Sequence, residues 1–247
     1  MTDSMERRRV IIVTGASHGL GKEISLRFGR TGDRVLVNYC RDEKAAQGVV
    51  EEIRKNSGDA AAFRADVQKT DDVHAMISAA IKRWDRIDVL VNNAGITEDG
   101  LLLRMREDSW NTVVNTNLSG AFYCMRAVAE IMLKQGTGHI ISISSIVAIQ
   151  GREGQANYSA SKAALIGLTK AAAREFGAGN VKVNAVLPGF LPTSMGSTVS
   201  DDYRTRIIRE NVLGRVSNPG EVADFIRYLS SLENVSGQVF NLDSRII

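Results

Sequence analysis

Short, continuously apolar runs alternate with longer amphipathic stretches along most of the chain, and this alternation limits the fold more than any other feature. Val10–Val13, Arg34–Asn38, Ala60–Ala65, Ile87–Val91, His139–Ile143 and Val181–Leu187 read as strands. Lys22–Arg30, Glu43–Asn56, Asp71–Trp84, Ser109–Lys134 and Ala156–Phe176 read as the helices between and after them. Further helices are predicted over Ser200–Glu210 and Glu221–Leu232, with a seventh strand over Gly237–Leu242. Strands apolar at successive positions are buried on both faces. Their alternation with helices through short loops predicts a parallel sheet covered by helices on both sides. Pro188 is the first proline, and no linker-like tract breaks the pattern. The 247 residues therefore read as one doubly wound α/β domain spanning 1–247, with a sheet of about seven strands.

Composition removes several function classes. Hydrophobic residues make up 44% of the chain, enough to build a core and to exclude disorder. Thirty-one basic against 28 acidic residues leave a charge of +3, too balanced for a nucleic-acid binder with a concentrated basic face. Two cysteines, Cys40 and Cys124, cannot make a disulfide framework or a four-thiolate zinc site. His18, His74 and His139 stand in unrelated contexts, so no metal centre is expected. The apolar run Val10–Val13 is too short for a secretory signal, and no stretch reaches the roughly 20 apolar residues of a membrane span. Arg7–Arg9 reads as a solvated lead-in to the first strand, and the protein is expected in the cytoplasm.

The loop Thr14-Gly15-Ala16-Ser17-His18-Gly19-Leu20-Gly21 joins the first strand to the first helix. Glycines there let the backbone turn tightly and approach a pyrophosphate, while the helix N-terminus offers free N–H groups and a positive dipole end. The loop is not that of a nucleoside-triphosphate hydrolase, because Gly21-Lys22 is followed by Glu23 and not by Ser or Thr. Tyr158 and Lys162 are four residues apart, hence on one helix face. An ammonium beside a phenol favours the phenolate, and a three-unit drop from a pKa near 10 requires about 4 kcal/mol.

Together with Asn92-Asn93-Ala94-Gly95 after the fourth strand, and Ser145 thirteen residues before Tyr158, this glycine spacing resembles the short-chain dehydrogenase/reductase family over nearly the whole chain. The resemblance implies a Rossmann-type fold and four catalytic residues: Asn117, Ser145, Tyr158 and Lys162. It selects Ser145 over Ser144, and Asn117 over Asn115, with Asn117 kinking the helix and holding a water that links the lysine to solvent. In the implied reaction NAD(P)H gives hydride to a ketone, Tyr158 gives the proton, and Ser145 holds the carbonyl oxygen. Lys162 lowers the tyrosine pKa and holds the nicotinamide ribose. The resemblance further implies dinucleotide contacts from Gly15, Ser17, His18, Gly19, Leu20, Gly21, Asn38, Asp66, Val67, Asn93, Ala94, Gly95, Pro188, Gly189 and Thr193, besides Tyr158 and Lys162.

The second strand ends Leu36-Val37-Asn38-Tyr39 without the acid that binds the ribose of NAD, and Arg41 follows. An arginine pairs with a 2′-phosphate, so NADP is expected, with Asp42 leaving NAD as the alternative. Thr97–Arg106, Trp110–Asn117, Gly154–Tyr158 and Pro188–Thr193 are similar to the bacterial reductases of 3-oxoacyl thioesters on acyl carrier protein, which serve fatty acid biosynthesis and are homotetramers. Small residues Ala160, Ala163, Ala164, Gly167 and Ala171 suit close helix contact, or packing on the sheet. Two features depart from that group. The chain ends Val239–Ile247 without a Val-Asp-Gly-Gly-type sequence, and Gly136 and Gly179 stand where arginines are usual, with Lys134, Arg104 and Arg106 nearby. The alternatives are another ketone or alcohol substrate (an acyl-CoA, a sugar or a cyclic alcohol) or a dinucleotide-binding scaffold without turnover.

Overall fold

The computed structural model describes residues 8–56, 58–192 and 201–246. Strands β1 (Val10–Val13), β2 (Arg34–Tyr39), β3 (Asp59–Arg64), β4 (Val89–Asn92), β5 (Gly138–Ile143), β6 (Val181–Leu187) and β7 (Val239–Asn241) form one parallel sheet among the described residues. Their spatial order is β3-β2-β1-β4-β5-β6-β7. The order reverses between β1 and β4, and the carboxyl edge at such a switch point is where doubly wound sheets bind ligands.

Helices α1 (Gly19–Arg30), α2 (Glu43–Lys55), α3 (Thr70–Trp84), α4 (Glu107–Val114), α5 (Gly120–Gln135), α6 (Val147–Gln150), α7 (Ala156–Phe176), α8 (Asp201–Glu210) and α9 (Pro219–Leu229) complete the chain order. Successive strand residues point to opposite faces, and the core divides accordingly. Ile11 and Val13 pack with Ile24 and Phe28 of α1, Ile53 of α2 and Ile226 of α9. Val10 and Ile12 pack with Met76 of α3, Met132 of α5 and Ala172 of α7. Each such side chain contributes about 1.5–3 kcal/mol of transfer free energy, which is why every β1 residue is apolar.

Three differences from the sequence reading have local causes. α1 begins at Gly19, three residues early, because the glycine loop itself supplies the first turn. β4 begins at Val89 and not Ile87, since the Gln135 side chain takes both backbone groups of Ile87, at 3.0 and 2.7 Å. The helix expected over Ser109–Lys134 is broken by a π-helical turn, Asn115–Ser119, between α4 and α5. Ser200, the expected first residue of α8, lies outside the described residues.

Candidate active site

Thr14 knots the glycine loop to the end of β4. Its Oγ1 accepts the backbone N–H groups of Asn93 and Ala94, each at 3.0 Å, and the Asn93 amide donates to Thr14 O at 2.8 Å and Gly15 O at 3.1 Å. Gly15 and Gly19 have φ of +61° and +53°, and a Cβ on Gly21 would lie 2.5 Å from Asn93 Nδ2. Asn38 supports the loop from below: its Oδ1 accepts Gly15 N at 3.1 Å and its Nδ2 donates to Ala65 O at 3.0 Å. Asn38 is thus buried and committed to the protein's own backbone. No side chain caps the N-terminus of α1, and its first turn holds no acid. These features fit a dinucleotide pyrophosphate, which would take the N–H groups and positive end of α1.

A cleft of about 350 Å³ opens here at the carboxyl edge of the sheet. Gly15, His18, Gly19, Leu20 and Gly21 line it on one side, with Asn93, Ala94 and Gly95 beside them. Ser145, Tyr158, Lys162, Pro188 and Gly189 line the rest of its predicted walls. Ser17, half-buried, bonds through its hydroxyl to His18 Nδ1 at 3.1 Å. Asp66 and Val67 follow β3; Asp66 Oδ1 accepts Gln68 N at 3.0 Å, while Val67 packs against Gly120. Arg41 is exposed after β2, and Thr193 lies outside the described residues.

The four expected catalytic side chains converge in this cleft or directly behind it. Ser145 faces the Tyr158 phenol closely enough to favour the phenolate. Lys162 Nζ lies 5.7 Å from the Tyr158 ring centroid and donates to Ile143 O at 2.7 Å. Ser144 points away from Tyr158 and gives its hydroxyl to Lys162 O at 2.8 Å. Asn117 is buried at the π turn, where its Oδ1 accepts Ile96 N at 2.8 Å and its Nδ2 donates to Ile96 O and Ser161 Oγ at 3.0 and 3.1 Å. Asn115, by contrast, is exposed. Gly95 leaves the gap between Asn117 and Lys162 open: a Cβ there would stand 3.2 Å from Asn117 Oδ1 and 3.4 Å from Lys162 Nζ.

Burial governs the electrostatics of the Tyr158–Lys162 pair in the protein alone. Burial pushes Tyr158 up to about 12, against a downward pull from Ser145, and Asp99 raises it further. Burial also pushes Lys162 down to about 8. Desolvation penalises phenolate and ammonium alike, so proximity alone does not make the pair ionise.

The chain matches the short chain dehydrogenase family model over residues 9–204. It belongs to the short-chain dehydrogenase family. Among curated relatives of this dehydrogenase, a 3-oxoacyl-[acyl-carrier-protein] reductase of Synechocystis is 45% identical over 97% of each chain. A protein of the same description from Staphylococcus aureus is 41% identical over 97% of this chain and 98% of its own. The fold is similar to that of an actinorhodin polyketide ketoreductase crystallised with NADPH, with a TM-score of 0.90, 34% identity and 96% of each chain covered.

Four residues at the site were not singled out in the sequence, and only the atypical C-terminal segment carried a signal. The Ile143 carbonyl that holds Lys162 is backbone. Ser161 is one of many helix serines. Arg245 and Asp243, in the atypical C-terminal segment, form a buried ion pair, and Arg245 lines the cleft.

Proposed function

We propose that this short-chain dehydrogenase is an NADPH-dependent reductase of 3-oxoacyl thioesters, acting on the acyl-carrier-protein form in fatty acid biosynthesis. The observation that carries this reading is the convergence of Tyr158, Ser145, Lys162 and Asn117 beside the glycine loop, in a chain similar from end to end to reductases of that description.

A bound nicotinamide dinucleotide supplies the hydride. Tyr158 is the proton donor; with its pKa near 12 it keeps its proton throughout the neutral range, as a general acid must. Ser145, beside the phenol, would hold the same substrate oxygen and strengthen its hydrogen bond as charge develops there. Lys162, cationic at neutral pH, lies by the ring and offsets the phenolate left when the proton has gone. It would also hold the nicotinamide ribose, while Asn117 fixes the strand end and helix behind it. Asp66 and Val67 would hold the adenine, and Pro188, Gly189 and Thr193 the nicotinamide.

Arg41 supports NADP over NAD. It is exposed, and among the described residues it has no carboxylate partner within salt-bridge distance. Asp42, the acid that would favour NAD, caps α2 through Ala45 N at 2.9 Å and faces His18 Nε2 at 3.2 Å. A homotetramer belongs to the same reading: Ala160, Ala163, Gly167 and Ala171 are exposed along α7, open to close contact with a second copy. The cytoplasm is its proposed compartment; among the described residues no helix is long and apolar enough to cross a membrane.

The test is consumption of NADPH with acetoacetyl thioesters of acyl carrier protein and CoA. Turnover with both, faster on the carrier protein, is expected; no turnover with any ketone contradicts the reading. Arg41→Ala is expected to raise the KM for NADPH about tenfold and leave that for NADH within about twofold. Equal effects on both cofactors contradict the 2′-phosphate assignment.

A further inference from the structure

The C-terminal segment is tied to the cleft at several points. Leu242 N donates to Leu187 O at the end of β6, at 2.9 Å. One step on, the Asp243 carboxylate accepts the backbone N–H of Arg245 and its Nε, each at 2.9 Å, and Arg245 Nη2 completes a bidentate pair. Both residues are buried, at 7% exposure each. The same carboxylate approaches the turn that holds Phe190. It lies so close to the turn after β6 that a Cβ on Gly189 would stand 3.0 Å from Asp243 Oδ2. Ser244 bonds Asn211 through its hydroxyl, and its carbonyl accepts Val212 N at 3.3 Å, just beyond α8.

The end of β6 with the turn after it, and the residues just beyond α8, are therefore both held by four consecutive tail residues. Gly189, Phe190, Leu191 and Arg245 all line the cleft. A buried ion pair seldom stabilises a fold more than apolar side chains of equal volume. Its effect here is to fix a geometry: one carboxylate orients a guanidinium, a tail and a turn together.

We infer that the Asp243–Arg245 pair is a positioning device for the reaction, holding the Gly189–Leu191 wall at the distance from Tyr158 that hydride transfer requires. The inference rests on the reductase reading. In the proposed function most dinucleotide contacts come from the glycine loop and the residues after β3 and β4, and this wall meets only the nicotinamide end. Loosening the wall therefore costs orientation more than affinity, and displacements of about 1 Å lower turnover strongly.

The experiment compares Asp243→Asn, Arg245→Gln, the double variant and Arg245→Lys, by steady-state kinetics and by hydrogen exchange of the 188–192 backbone. Either single variant is expected to lower kcat about tenfold with the KM for NADPH within twofold. The double variant is expected to be no worse than the singles, because both break one contact. Arg245→Lys is expected to recover part of the rate. Exchange over 188–192 is expected to quicken while that of β1 and β4 stays constant, a result read without turnover and so independent of the substrate assigned. Asp243→Asn preserves volume and serves if Arg245→Gln does not fold. Unchanged kcat together with unchanged exchange, or additive losses in the double variant, overturns the inference. A wild type that reduces no thioester overturns the reductase reading alone, and the exchange result still decides the positioning role.

Discussion

Asn117 illustrates how much of the site depends on single amides meeting backbone. Its side chain pairs both polar groups of Ile96 and reaches Ser161, whose hydroxyl in turn donates to Tyr158 O at 2.8 Å. Replacing it by alanine leaves a backbone N–H and C=O without partners, a cost of about 1–3 kcal/mol each. Asn117→Ala is expected to lower the melting temperature by several degrees and turnover at least tenfold, measured by calorimetry and thioester reduction. Asn115→Ala, at an exposed position, is expected to change neither; equal losses in both would mean that the π turn and not the amide is what matters. Asn117 was legible in the sequence because it sits in a motif. Its partners were not, since Ile96 contributes only backbone atoms. Asn38, which the family resemblance marks as a cofactor contact, spends its amide atoms on Gly15 and Ala65, beneath the glycine loop. Residue spacing reports the proximity of Tyr158 and Lys162 but not the desolvation that both groups share.

At the scale of elements, apolar periodicity located the strands and helices, and what it missed was made by hydrogen bonds. A π turn needs only one extra residue within a helix and changes no hydrophobic pattern, so Asn115–Ser119 is invisible to periodicity. Where β5, β6 and β7 run together, the polar network around His139 was equally hidden. Asn184 Oδ1 accepts Gln238 N at 3.0 Å and its Nδ2 donates to Val235 O at 2.8 Å, which fixes the amide's orientation. That same Nδ2 faces His139 Nε2 at 2.9 Å, so the ring nitrogen must accept and the imidazole must be neutral. Burial, then the charges of Lys182 and Arg9, push the His139 pKa down from 6.5 to about 4. The unfolded chain therefore binds a proton that the folded chain refuses between these values. Stability is present in full above about pH 6.5 and falls as pH drops toward 4, by about 3 kcal/mol from this residue. Urea unfolding at pH 7 and pH 5 should show the loss, and His139→Gln should flatten it; an unaltered slope in that variant would assign the acid sensitivity elsewhere.

For the molecule as a whole, the strand–helix alternation of the sequence contained the parallel, two-sided sheet, whereas the strand order is a property of the structure. The reversal between β1 and β4 then places the glycine loop, the end of β4 and the tyrosine helix around one cleft. The C-terminal segment was legible only as a departure; its grip on the cleft wall depends on long-range contacts between residues more than thirty positions apart. The account as a whole depends on Tyr158 delivering the proton. The most direct measurement compares Tyr158→Phe with wild type for NADPH binding by fluorescence titration and for acetoacetyl thioester reduction. Turnover is expected to fall by about 10²–10⁴ with NADPH affinity within about twofold. A variant that keeps more than about a tenth of wild-type turnover would contradict the proton-donor assignment and the mechanism built on it.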